Sequence, residues 1–265
     1  MEKLSLTGRI FYSIAMAGLG VQAIYDKDFP YMLVPPNHSS IPGFTIFAFI
    51  LGLLFILAGA CIVFEKIPRQ ISLVLGGVLL LIFCFYYIPY ELMATSNYMH
   101  FGEWENAIKE LALAAGAFVV AGCFAAKNEN ALARFLGKLI PLGTIAYALT
   151  IMSFGIDHFL YAKEAEGYIP AWIPAHLFWM YFCGAALLGA GIAIILKIKT
   201  GVFASLLGTM IFIWFIILHL PKVIAAPAAD RSGEIASAFL ALAYCGVAFV
   251  IAGEKTDVPV QRGRR

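Results

Sequence analysis

The sequence predicts an all-α, polytopic membrane protein: eight transmembrane helices arranged as two parallel-repeat four-helix bundles. Three observations carry that prediction. The first is composition. The 265 residues are 62% hydrophobic and 13% charged, with a mean hydropathy of +0.88. Soluble domains run at about 45–50% apolar and about 25% charged, and no water-soluble fold of this size hides so much apolar surface. A cytosolic enzyme, a nucleic-acid-binding protein and a disordered chain are thereby excluded. The second observation is a series of apolar runs of the length a membrane helix needs, about 20 residues. The third is an internal repeat.

The runs follow one another along the chain at 8–25, 43–64, 70–88, 105–126, 139–160, 173–196, 201–220 and 233–252. They do not alternate in polarity, so they are helices and not barrel strands. Asp26-Lys27-Asp28-Phe29-Pro30 closes the first, and Pro68-Arg69 separates the second from the third. Pro89 and Pro221 are expected to close the third and seventh, because proline cannot continue the hydrogen-bond ladder. The first run ends in an acidic turn without a small-x-small cleavage site and so reads as a span, not as a removed signal peptide.

A shift of 132 residues lays Ile41-Pro42 on Ile173-Pro174, Gly52 on Gly184, Ala58-Gly59 on Ala190-Gly191, Leu75-Gly76 on Leu207-Gly208 and Pro89 on Pro221. A shift of 135 lays Gly8 on Gly143, and one of 131 lays Ala121-Gly122 on Ala252-Gly253. The differences in offset fall in loops. Four spans per unit is an even number, so both units enter the membrane the same way round, as parallel repeats. The expected domains are a degenerate first unit over 1–126, a cytoplasmic linker over 127–138, a second unit over 139–253 and a basic cytoplasmic tail over 254–265.

Charge sets the orientation. Thirteen of the eighteen lysines and arginines fall on the face that carries the N-terminus, the even-numbered interspan loops and the C-terminus. The positive-inside rule makes that face cytoplasmic, so the expected location is the cell membrane, multi-pass, with both termini in the cytoplasm. Eleven of the sixteen acidic residues are expected outside or near the outer ends of helices.

All five histidines fall on the outer side: His38, His100, His158, His176 and His219. The last three belong to the second unit and bracket one of its mouths. Asp157 precedes His158, and Lys222 follows His219. Ionisable groups near the apolar zone mark function. Thr150, Ser153, Asp157 and Tyr161 step by three, four and four, so they share one face of the fifth helix, which is expected to turn inward. His219 shares a face with Phe215. The inferred pocket is aromatic-walled and polar at its rim, a shape suited to a flat amphipathic ligand such as a quinone head group. His158, His219 and Asp157 are the candidate catalytic residues. His176, Trp172, Trp179, Lys222, Tyr161 and Phe215 are the candidate binding residues. The first unit has Gln22, Ala23, Phe44, Tyr87 and Tyr90 at the places of Asp157, His158, His176, His219 and Lys222, so activity is expected in the second.

The plainer alternative is an interfacial belt in which histidines and Trp172 and Trp179 anchor helix ends at the lipid surface. Ligand type alone would also allow a metal at His158, His176, His219 and Asp157, but no tight His-x-x-x-His spacing supports it, and no metal is assigned. Cys61, Cys84, Cys123, Cys183 and Cys245 lie singly in predicted helices without a Cys-x-x-Cys pair, which argues against an internal dithiol relay. No Walker loop, dinucleotide fingerprint or nucleophile elbow occurs.

The stretches Gly155-Ile156-Asp157-His158-Phe159, Gly167-Tyr168-Ile169-Pro170-Ala171-Trp172-Ile173-Pro174, Phe178-Trp179-Met180-Tyr181 with Gly184, and Leu218-His219-Leu220-Pro221 resemble the DoxX-like membrane proteins. The resemblance covers 139–253, and extends to 8–126 only through the repeat, where the histidine is missing. It implies a four-helix membrane bundle tied to quinone-linked or thiol-linked redox systems, such as the membrane subunit of thiosulfate:quinone oxidoreductase. Three functions stay open. In the first, the chain is a membrane subunit of a quinone-linked redox system. Asp157 then orients His158, a histidine exchanges protons with the quinol, and a soluble or membrane partner protein carries the electrons. In the second it is a non-catalytic structural or assembly subunit. In the third it is a small-solute transporter. Membrane lipid is a partner in all three; nucleic acid is in none.

Overall fold

A computed structural model describes residues 2–30, 32–35, 43–95, 97, 99–127 and 129–254. His38, the Ile41-Pro42 pair and the basic tail beyond Glu254 lie outside the described residues. Eight long helices make up the molecule: α1 (Glu2–Asp26), α2 (Phe44–Val63), α3 (Pro68–Met93), α4 (Glu105–Gly122), α5 (Ile140–Leu160), α6 (His176–Ile195), α7 (Thr200–Ala225) and α8 (Arg231–Gly253). A short helix, Ala131–Gly137, sits between α4 and α5, with the Asn130 side chain accepting the Ala133 N–H at 2.8 Å as its N-cap. Helices suit these sequences because a backbone in hydrocarbon must satisfy its own hydrogen bonds.

Among the described residues, seven of the eight helices are long and apolar enough to cross a membrane, and the chain is an integral membrane protein. The exception is α4. It is 18 residues long and carries Glu105, Lys109 and Glu110.

The expectation that Pro89 and Pro221 end their helices is corrected. Both helices run on, to Met93 and Ala225, through a wide π turn at Phe83–Tyr87 and Phe215–His219. Proline offers no N–H to the carbonyl four residues back, and its ring crowds that carbonyl. Opening the turn by one residue removes the conflict without breaking the helix.

The helices pack in a closed circuit in chain order, from α1 through α8 and back to α1, with α4 against α8 across the middle. Outside its own hairpin, the chief partner of α1 is α8, and that of α5 is α4. The halves are therefore not two separately closed four-helix bundles. Each lobe has five helices, α8-α1-α2-α3-α4 and α4-α5-α6-α7-α8, with α4 and α8 shared. Sequence dictates this centre. The two shared helices are rich in Ala, Gly and Val, and nearly every residue from Ala112 to Ala121 and from Leu240 to Gly253 is buried. Small residues let backbones approach closely. A Cβ on Gly246 would lie 2.6 Å from the Gly8 carbonyl oxygen, and one on Gly143 would lie 3.0 Å from that of Ala115.

Several local features recur at a constant spacing. The π turns are 132 residues apart. So are three pairs of left-handed residues: Gly43 and Ala175, Glu65 and Lys197, Ile67 and Lys199. The Tyr12 hydroxyl donates to the Leu113 carbonyl at 2.8 Å, and Tyr147, 135 residues on, donates to the Tyr244 carbonyl at 2.7 Å.

Candidate functional site

The α4–α8 lobe encloses a cavity of about 1080 Å³. Its floor is apolar, formed by Ile151, Leu187, Met210 and Ile211. Its mouth lies where α5 and α7 finish and α6 and α8 begin. From Tyr161 down to Ile151 the α5 wall spans about 15 Å, at about 1.5 Å per residue.

His158, His219 and Asp157 all line this cavity, as do Trp179, Lys222 and Tyr161. The His158 Nδ1 is 2.7 Å from the Phe154 carbonyl oxygen. A carbonyl only accepts, so Nδ1 carries the proton and Nε2 is the nitrogen free to accept from a ligand. The expected pairing of Asp157 with His158 is corrected: the histidine is oriented by its own helix. Adjacent helical residues point about 100° apart, which keeps the carboxylate from the imidazole of the next residue. Both Asp157 oxygens are shielded and have no hydrogen-bond partner among the described residues, and the same holds for His219 Nδ1. His219 is the last residue of the π turn in α7, and such turns gather at functional sites.

Lys222 reaches Glu234 at 3.7 Å and lies 3.9 Å above the Tyr168 ring. Tyr161 ties the mouth to the α3–α4 connection: its hydroxyl accepts the Gly102 N–H at 3.1 Å and lies 3.3 Å from His100 Nε2. Trp179 and Trp214 meet edge to face at 6.2 Å, and Trp214 Nε1 donates to Cys183 Sγ at 3.1 Å. Phe154 and Tyr244 complete the aromatic wall at 5.7 Å.

Other expected site residues stand apart. His176 is half-buried at the start of α6 and does not line the cavity. Trp172 is exposed before α6. Phe215 stacks on Phe212 at 6.0 Å, away from the cavity. The Thr150–Ser153 part of the polar stripe is absorbed by its own helix: Thr150 donates to the Tyr147 carbonyl at 2.7 Å and Ser153 to that of Leu149 at 3.2 Å. Hydroxyls in membrane helices commonly satisfy themselves in this way.

The sequence reading missed two contributions. The cavity wall includes Glu105 and Lys109 from α4, and Asp26, Asp28 and Met32 from the α1 end of the chain. Gln22 and Asp26 hold α1 to Ser232 of α8, at 2.7 Å each, and that bridge has no sequence signature. The second is Glu110, six residues into α4 and 0% exposed, with neither oxygen partnered among the described residues. The expectation of acidic residues only outside or near the outer ends of helices hid it. A lone carboxyl opening a run of small apolar residues was the available signal.

Among the described residues no group of three or more His, Cys, Asp or Glu side chains is arranged to hold a metal ion. Comparison with family models, with characterised proteins and with solved structures finds no match to this chain.

Proposed function

We propose that this integral membrane protein is the membrane subunit of a quinone-linked redox system, binding quinone in the α4–α8 lobe. The observation that carries the reading is the meeting of His158, His219 and Asp157 in one aromatic-walled cavity with an apolar floor. A ring-headed ligand with an isoprenoid tail matches that division between polar and apolar walls. Oxidising a quinol releases two protons and two electrons. His158 Nε2 accepts a proton from a ring hydroxyl, His219 serves the other side of the head group, and the electrons pass to a partner redox protein. The resemblance of 139–253 to DoxX-like proteins supports the same reading.

In this proposal all eight helices span the cell membrane, both termini are cytoplasmic, and the cavity mouth faces outward. The basic-residue bias supports the orientation. The recurrence of π turns, left-handed caps and tyrosine bonds at constant spacing supports two parallel repeats over 1–126 and 139–253. The short α4 spans because its charged first turns lie in the protein interior and at the cavity wall, not against lipid.

The test is ligand identification followed by substitution. Mass spectrometry of protein purified in mild detergent is expected to find co-purifying quinone, and His158→Ala is expected to abolish it with membrane insertion intact. Absence of quinone, or quinone retention by the variant, overturns the reading.

A further inference from the structure

The charge on the cavity wall has a sign that a neutral quinone does not use. Six acidic residues line it: Asp26, Asp28, Glu105, Asp157, Asp230 and Glu234. Against them stand two lysines. Lys109 is held by Glu105 at 2.7 Å, and Lys222 is held by Glu234 at 3.7 Å. The wall therefore carries an excess of carboxylates, and a low-dielectric cleft of one sign focuses its field on whatever enters.

Two further features lie deeper in the same cavity. The Asp157 oxygens are shielded from water and have no partner among the described residues. Leaving a carboxylate uncompensated in such a place is costly, and a cation is the natural remedy. Around it are the faces and edges of Phe154, Trp179, Trp214 and Tyr244, and aromatic faces attract cations, tryptophan most of all. Below lie only apolar side chains.

From this arrangement we infer that the cavity is a binding site for a lipophilic organic cation, with its ammonium or phosphonium centre at Asp157 and its apolar groups toward Leu187, Met210 and Ile211. An anionic amphiphile such as a fatty acid meets the acidic mouth and is turned away. The inference rests on the cavity's walls and not on the redox reading.

The probe is tetraphenylphosphonium, whose charge is permanent, with triphenylphosphine oxide as its uncharged counterpart. Both are titrated calorimetrically into the full chain in a nonionic detergent. The phosphonium is expected to bind one to one, at least tenfold tighter than the oxide. Asp157→Asn is expected to weaken the phosphonium at least tenfold and leave the oxide unchanged, while Asp157→Glu restores the preference. Lys222→Met, which removes a cation from the mouth, is expected to tighten the phosphonium several-fold, and this arm stands even where Asp157→Asn fails to fold. Equal affinity for the two probes, an unchanged phosphonium affinity in folded Asp157→Asn, or weaker binding to Lys222→Met overturns the inference. A parallel titration with a short-chain quinone separates the two readings, since loss of quinone binding with phosphonium binding intact overturns the redox reading alone.

Discussion

Glu110 is the most costly residue in the molecule. It is wholly buried in α4, within electrostatic reach of Tyr12, Tyr87 and Tyr244, yet neither oxygen finds a hydrogen-bond donor among the described residues. The tyrosine hydroxyls that could have served are spent elsewhere: Tyr12 donates to Leu113 and Tyr244 to the Lys109 carbonyl at 3.1 Å. A buried, unsatisfied polar group costs about 1–3 kcal/mol, and an apolar group of similar shape removes that cost. Glu110→Leu is therefore expected to raise the thermal unfolding temperature in detergent, with a gain of about 1–3 kcal/mol. A lowered unfolding temperature would mean that Glu110 has a stabilising partner in the membrane. At the same scale, His158 and Asp157 were legible as polar residues on an inward face, but their pairing was not. Neighbours in sequence diverge on a helix, and the nearest acceptor for His158 was a carbonyl of its own helix.

At the scale of elements, the small-residue faces of α4 and α8 determine how closely the lobes approach. The α1–α8 crossing brings the Gly8 and Gly246 backbones together, and a side chain on either meets the other's carbonyl. Gly8→Val is expected to push α1 off α8 and to destabilise the protein by about 1–3 kcal/mol, the usual cost of overpacking. A denaturation midpoint equal to that of the parent chain would show that the crossing is looser than its geometry. The glycine positions were readable from the sequence as a repeat, but their partners were not, because the crossing joins residues more than 230 apart in the chain. The prolines teach the same lesson. Pro89 and Pro221 signalled a break in the ladder, and the break exists, but packing on both sides keeps each helix going through a π turn.

At the scale of the whole molecule, the cavity belongs to both halves of the chain. Its wall takes Glu105 and Lys109 from α4 and Asp26 from α1 as well as the second-half helices. Residues 127–265 expressed alone are expected to insert yet bind neither quinone nor phosphonium, and co-expression with residues 1–126 is expected to restore binding. Ligand binding by the second half alone would show that it closes its own site. Orientation is checked with single cysteines. Gly167→Cys, in the exposed segment after α5, is expected to label from outside, and Lys127→Cys, after α4, from the cytoplasm. The reverse pattern would place the cavity mouth in the cytoplasm.

Composition and run length alone determined that this is a helical membrane protein and roughly where its helices lie. Hydrocarbon leaves a backbone few choices, and the requirement for about 20 apolar residues is written locally. The spacing of glycines and prolines carried the repeat, and the histidines and Asp157 marked the right end of the right helices. Tertiary structure alone decided that α4 and α8 are shared between two five-helix lobes and that acidic residues of the first half line the cavity. It also decided that His176, Trp172 and Phe215 stand outside that cavity while His158, His219 and Asp157 stand inside it. The reason is that local sequence constrains each helix along its own axis, whereas rotation about that axis and the choice of neighbour depend on side-chain fit between segments distant in the chain.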